Sequence, residues 1–161
     1  MRAIVYEKYG TPDVLKIRDI KKPMPKPNEV LLKIVTTTVT SADCRVRSLN
    51  VPFGFGFIMR LVFGFSKPRQ AILGTELAGV VESVGKDVRA FKVGDEVFAF
   101  NDAAMGCYVE YKCMPENSAL ALKPRNLSLS EAATLSFGGT TALEFLRKAK
   151  LKRGDKILIN G

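Results

Sequence analysis

From Arg2 to Met114 the chain is mostly a succession of short runs rich in Val, Ile, Leu and Thr, cut off by glycine or proline. Punctuation of that kind selects strands joined by tight turns over a bundle of long helices. Arg2 to Tyr6 reads as a short strand and Val14 to Ile20 as a second. Lys21 to Asn28 holds Pro23, Pro25 and Pro27, and proline has no amide hydrogen for a ladder, so this segment is a loop or an edge. Glu29 to Thr38 predicts a long strand. Leu77 to Val84 predicts another, with Gly79 marking a bulge or a close approach of backbones. Gly94-Asp95 turns the chain into a strand over Glu96 to Phe100, and Tyr108 to Met114 reads as one more. Ser41 is expected to cap a short helix running through Arg47. The fold class expected is mainly β with α, a partly open β-barrel.

The pattern changes after Leu127. Ser128-Leu-Ser-Glu131 is a capping box that opens a helix, Gly138-Gly139 interrupts it, and Thr141-Ala-Leu-Glu144 restarts it with Ala142, Phe145, Leu146 and Ala149 on one face. Gly154-Asp155 then leads into Lys156 to Asn160, a short apolar run of the kind found in buried parallel strands. A helix, a turn and such a strand are how a dinucleotide-binding βαβ unit begins, before its glycine-rich loop. Two parts are therefore expected: residues 1–127, and 128–161 as a linking helix and the start of a dinucleotide-binding domain. The chain is expected to be a fragment of a longer protein.

Composition narrows the chemistry. The 161 residues suffice for one packed core, and an apolar content of 47% excludes a disordered chain. There is no histidine, which removes the commonest general base near neutral pH and the commonest zinc ligand. The net charge of +9 is spread from Arg2 to Lys156, and its densest group, Arg147, Lys148, Lys150, Lys152 and Arg153, lies at a helix end where cations suit the macrodipole. That scatter reads as a solvated surface, not a nucleic-acid site. Three cysteines, Cys44, Cys107 and Cys113, suit a reducing compartment and read as ordinary buried thiols. No apolar window is long enough for a membrane span, and Met1 to Tyr6 carries a charge at Arg2 with no secretion-signal core, so a cytoplasmic location is expected.

Four stretches together resemble the medium-chain dehydrogenase/reductase family. They are Gly74-Thr-Glu-Leu-Ala-Gly-Val-Val-Glu-Ser-Val-Gly85, Phe91-Lys-Val-Gly-Asp-Glu-Val-Phe98, Gly106-Cys-Tyr-Val-Glu-Tyr111, and Leu127-Ser-Leu-Ser-Glu-Ala-Ala133 continuing to Thr141-Ala142. The resemblance implies a GroES-like barrel followed by a Rossmann domain. Within the family the chain is similar to the zinc-independent branch of quinone and enone reductases. The positions where zinc enzymes of the family carry their catalytic ligands fall here on Thr40, Thr75 and Phe137, none of them a credible zinc ligand. Glu76 matches the family's carboxylate beside the metal, and the family's proton-relay hydroxyl falls on Ala42. The four close cysteines of a structural zinc lobe are absent as well.

The resemblance implies a substrate cleft at Thr40, Ser41 and Asp43. Thr40 would face nicotinamide and substrate, and Ser41 would donate a hydrogen bond; a helix N-terminus satisfying its own backbone accounts for the same residues. Thr75 either lines the cleft or fills the space of the missing histidine. Thr40, Ser41 and Thr75 are the catalytic candidates. Thr40 and Thr141 are the cofactor-contacting ones, Thr141 also being placed to cap its helix. Glu76 reads as a buried, paired carboxylate. The segment Val51 to Phe65, with Phe53, Phe57 and Phe63 as pocket candidates, reads as an apolar lid over the cleft, as barrel core, or as a surface patch for a membrane or partner; Gly54, Gly56 and Gly64 speak against a rigid core helix.

The expected function is that of the substrate half of an oxidoreductase, using NADPH or NADH and no zinc, that passes hydride to a quinone, an enone or a small apolar carbonyl. The 161 residues alone are expected to be inactive. A homodimer of the longer protein is compatible with this. An alcohol dehydrogenase relative with an altered metal site and a non-enzymatic interaction module built on the Phe-rich segment are the rival expectations.

Overall fold

The computed structural model describes residues 1–159. The long apolar run expected over Glu29 to Thr38 is strand β3, Glu29–Thr37, and it lies second in a five-stranded antiparallel sheet. Its neighbours are β4 (Glu76–Val84) on one side and β6 (Tyr111–Pro115) on the other, with β5 (Glu96–Phe100) and β7 (Leu120–Leu122) beyond β4. A separate antiparallel pair, β1 (Arg2–Val5) with β2 (Lys16–Asp19), leans on the sheet through bridges from Ala3 to Val109 and from Val5 to Ile72. The two sheets do not close on each other, so the architecture is the partly open β arrangement expected, with four short α-helices among the described residues: α1 (Ser41–Ser48), α2 (Gly56–Phe63), α3 (Leu129–Ala133) and α4 (Thr140–Lys148).

Alternation along the strands produces two cores. Val30, Leu32, Leu77, Val81, Val97, Ala99 and Met114 point inward from the large sheet and exclude water from one another. Truncating such a leucine costs about 2–5 kcal/mol. Tyr6, Val14, Val46, Leu73, Met105 and Tyr108 form the second core, between the N-terminal hairpin and α1. Gly79 sits opposite Ile34, next to a register shift between Ile34 and Thr36 that brings the β3 backbone unusually near. The bulge or close approach expected at Gly79 is thus present as both.

Several local expectations are corrected. The second strand begins at Lys16, not Val14, because Pro12–Val14 makes a 3-10 turn that folds Val14 into the second core. Ser41 is not a cap: Thr40 caps α1, accepting from the Asp43 amide while the Asp43 carboxylate accepts the Thr40 amide. The last long strand begins at Tyr111, since Cys107 and Tyr108 bond to Gly74 and Leu73 ahead of β4. The short β7 was not expected; its three residues carry too little pattern. The α-helix is interrupted over a longer stretch than Gly138-Gly139: α3 ends at Ala133, a π-turn spans Leu135–Gly139, and α4 starts at Thr140. Thr141 does not cap α4, whose N-terminus has no side-chain cap. The expected strand Lys156 to Asn160 is unformed over Lys156 to Ile159, where no neighbouring strand offers a ladder; Asn160 lies outside the described residues. The capping box at Ser128 and Glu131 forms as expected, with both reciprocal bonds made.

No helix among the described residues is long and apolar enough to cross a membrane.

Candidate functional site

Three chain segments meet where β3 ends. Thr37 and Thr38 leave the strand, Thr40 and Ser41 start α1, and Gly74-Thr75 enters β4. Two buried carboxylates tie them. Asp43 accepts the Thr40 amide (2.9 Å) and hydroxyl (2.7 Å) on Oδ2, and the Gly74 amide (3.0 Å) on Oδ1. It thereby locks the N-terminus of α1 to the residue before Thr75. Glu76 accepts the Thr38 hydroxyl (2.6 Å) and the Phe137 amide (2.8 Å), joining the end of β3 to the π-turn, while the Thr37 hydroxyl donates to the Glu76 carbonyl (2.6 Å). Glu76 is buried, as expected, but its partners are a hydroxyl and an amide rather than a cation.

These ties enclose a cavity of about 230 Å³. Thr40, Ser41 and Thr75 give it a polar end, while Phe63, Phe100 and Phe137 give it apolar walls. Phe100 and Phe137 stack with ring centroids 5.7 Å apart and planes 24° apart. A larger groove of about 480 Å³ runs past Ile4, Ile17, Ile34 and Val35 and also holds Thr36, Thr37 and the mutually paired Arg2 and Glu110, but none of Thr40, Ser41 and Thr75. The smaller cavity is the better candidate because Thr40, Ser41 and Thr75, the residues at the start of α1 and of β4, converge in it.

The hydroxyls differ in availability. The Thr40 hydroxyl donates its proton to Asp43 and accepts the Asp43 amide, so it has no proton left to offer a ligand. Among the described residues the side chains of Ser41 and Thr75 have no hydrogen-bond partner, and both reach the cavity. Thr40, Thr75 and Phe137, where zinc ligands would stand, do surround one space. Two hydroxyls and a phenyl ring do not make a zinc donor set, and the described residues contain no group of three or more His, Cys, Asp or Glu that could hold a metal.

The pocket candidates separate. Phe63 lines the cavity, whereas Phe53 and Phe57 do not and stand exposed; Phe57 packs edge-on against Phe65 instead. The segment is therefore neither barrel core nor a lid carried by all three rings. Thr141, half-buried on α4, is not among the residues that line the cavity.

One wall comes from a loop that sequence reasoning missed. Asp102 and Met105 both take positive φ (38° and 48°) and line the cavity on a 3-10 turn. The loop is held from outside. The Lys112 ammonium donates to the Met105 (2.9 Å) and Gly106 (3.3 Å) carbonyls, the Asn101 amide donates to Met105, and Gln70 donates to Ala104 (3.1 Å). Burial pushes the Lys112 ammonium below the ordinary lysine range. Only the turn-forming pair Asn101-Asp102 hints at this loop in the sequence.

The cysteines are not three alike buried thiols. Cys44 is exposed, Cys113 is half-buried, and Cys107 is buried with its thiol pushed up to about 12 by desolvation. The thiolate is the reactive form, so Cys107 is inert near neutral pH. Alkylation of the native protein at pH 8 should modify Cys44 fast and Cys107 only on unfolding. Cys44→Ser should abolish the fast phase; rapid labelling of Cys107 would show that the core of the large sheet opens freely.

Residues 26–125 match the model of the alcohol dehydrogenase GroES-like domain. The chain belongs to this family. The chain is 34% identical, over its whole length and 40% of the relative's, to a 2-methylene-furan-3-one reductase of Solanum lycopersicum. It is 33% identical, over its whole length and 45% of the relative's, to a quinone oxidoreductase of Rattus norvegicus. Among solved structures, the quinone oxidoreductase of Coxiella burnetii superposes with a TM-score of 0.78 at 29% identity, covering 96% of this chain and 47% of the other. The Escherichia coli quinone oxidoreductase complexed with NADPH gives 0.73 at 27% identity, covering 92% and 41%. The GroES-like chain thus spans less than half the length of the curated relatives it matches. The resemblance read from the four motifs is borne out at the level of the family.

Proposed function

We propose that this chain is the substrate-side part of a zinc-independent, NAD(P)H-dependent oxidoreductase that passes hydride to a quinone, an enone or a small apolar carbonyl. The observation that carries the reading is the cavity in which the unpartnered hydroxyls of Ser41 and Thr75 face a wall of stacked phenyl rings. A planar, apolar, oxygen-bearing substrate fits such a slot: Phe63, Phe100 and Phe137 cover its faces while its oxygen reaches the polar end. A nicotinamide cofactor, when bound, supplies the hydride. The residues of this chain do the rest. Ser41 and Thr75 donate hydrogen bonds to the oxygen on which negative charge develops, the task a metal performs elsewhere. Thr40 holds the start of α1 through Asp43, and the phenyl walls exclude water. Thr141 is assigned a cofactor contact from the neighbouring helix, and the division of the chain at residues 127 and 128 belongs to the same proposal. Names of relatives that are quinone and enone reductases support the substrate class, and a relative's complex with NADPH supports the cofactor.

The test uses a longer form of the protein carrying the residues its relatives have beyond this span, with NADPH and 1,4-benzoquinone as probes. Ser41→Ala and Thr75→Val should each lower kcat/KM by about tenfold or more, the range for loss of an oxyanion donor reaching 10²–10³. Elemental analysis should find no stoichiometric zinc. One tightly held zinc per chain, or full activity in the double variant, would overturn the assignment.

A further inference from the structure

We propose that residues 53–69, helix α2 with its flanks, form a docking surface for an anionic membrane, with the helix lying in the headgroup plane. The helix sequence, Gly56-Phe-Ile-Met-Arg-Leu-Val-Phe63, is apolar almost all round, a composition that ordinarily requires burial on most sides. None of its residues is buried. Only Met59 and Phe63 pack inward, against the second core. Phe55, Phe57, Ile58, Leu61, Val62 and Phe65 all stand exposed in this one stretch. Single exposed apolar side chains are ordinary on a protein surface, but a contiguous set of this size marks an interaction site.

Charge selects the occupant. No Asp or Glu occurs from Cys44 to Thr75, and the carboxylates that bound this stretch, Asp43 and Glu76, are buried and already bonded. The patch is edged instead by the exposed cations Arg60, Lys67 and Arg69. Their partners are carbonyls of the patch itself: the Arg60 guanidinium donates to Phe65 (2.6 Å) and that of Arg69 to Val62 (3.4 Å). Apolar side chains bordered by cations, with no acid among them, are the pattern of a helix that sinks its apolar face to the acyl boundary while its cations meet anionic headgroups. With eight residues α2 is far too short to span, so it lies on the surface. A second copy fits the face less well. A two-fold interface sets the same patch against itself, bringing cation to cation in a chain of net charge +9 with no local carboxylate to pair them.

The proposal does not depend on the catalytic reading and is tested without turnover. Flotation is measured with vesicles of phosphatidylcholine alone and of phosphatidylcholine with phosphatidylserine, for this chain and for the longer form. Both should float with the anionic vesicles and remain unbound with the neutral ones, and added salt should release them. Lys67→Gln and Arg69→Gln should each weaken partitioning about fivefold. Phe57→Ser combined with Leu61→Ser should abolish binding without moving the Tm, since both side chains are exposed. Four results would overturn the proposal. They are no flotation at all, undiminished flotation of the Phe57/Leu61 variant, binding by this chain that is lost in the longer form, or a concentration-dependent dimer dissolved by the same double variant in a protein that ignores vesicles.

Discussion

Asp43→Ala should lower the Tm of this domain by roughly 10 °C, the shift expected in a chain of this size for a loss of about 3 kcal/mol. The carboxylate is buried and accepts three protein hydrogen bonds, from the Thr40 amide, the Thr40 hydroxyl and the Gly74 amide. Removing it costs α1 its capping box, worth about 1 kcal/mol, and leaves the Gly74 amide without its acceptor, which costs about 1–3 kcal/mol more. Asp43→Asn retains one acceptor oxygen and should lose about half as much. Because Gly74 precedes Thr75, the alanine variant should also loosen the polar end of the cavity. Amide exchange at Gly74 should rise with the loss of stability. A Tm within about 2 °C of the parent would show that the carboxylate is not the tie between α1 and β4.

Gly79→Ala should be at least as damaging, for a steric reason. A Cβ at this position would sit 2.2 Å from the Lys33 carbonyl oxygen and 3.0 Å from the Ile34 Cα, both backbone atoms of β3. A side chain could turn aside, but the backbone of a central strand cannot without breaking its ladder to β4 or β6. Overpacking of this kind costs about 3 kcal/mol, and more when the strand must shift. Gly138→Ala is the natural control: nothing lies within 4 Å of its added carbon, and in its helical turn the change should be neutral or stabilise by up to about 1 kcal/mol. Denaturant unfolding of the two variants should separate them widely. Similar midpoints would mean that β3 and β4 accommodate the methyl group and that the close approach does not constrain the sheet.

The sequence alone determined a good deal of this protein. Elements with a strong local signal were legible: β3 from its β-branched run, β4 with its one interior glycine, β5 after the Gly94-Asp95 turn, and the capping box at Ser128. Each is dictated by side chains within a few residues, through strand preference, turn geometry or reciprocal capping. The family was legible in the same way, since Gly74–Gly85 and Phe91–Phe98 are contiguous motifs. The neighbourhood of Thr40, Ser41 and Asp43 was legible through the resemblance, whereas for Thr75 the sequence left open whether it lines the cleft or fills the space of the missing histidine.

What the tertiary structure decided was which groups are spent and which are free. Thr40-Ser-Ala-Asp43 is a local capping-box pattern, so the spending of the Thr40 hydroxyl on Asp43 had a signal within four residues. What no window of sequence holds is that Gly74, distant in the chain, takes the other oxygen of the same carboxylate. Likewise Glu76 is held by Thr38 from one side and by Phe137 from a turn some sixty residues on. The wall at Asp102 and Met105 rests on Lys112 and Gln70 from opposite directions in sequence. The Phe-rich segment divided as it did, Phe63 inward and Phe57 outward, because only one face of α2 meets the second core. Strand formation is mostly a local preference. Hydrogen-bond satisfaction and burial belong to groups brought together by the whole chain, and no window of sequence contains them.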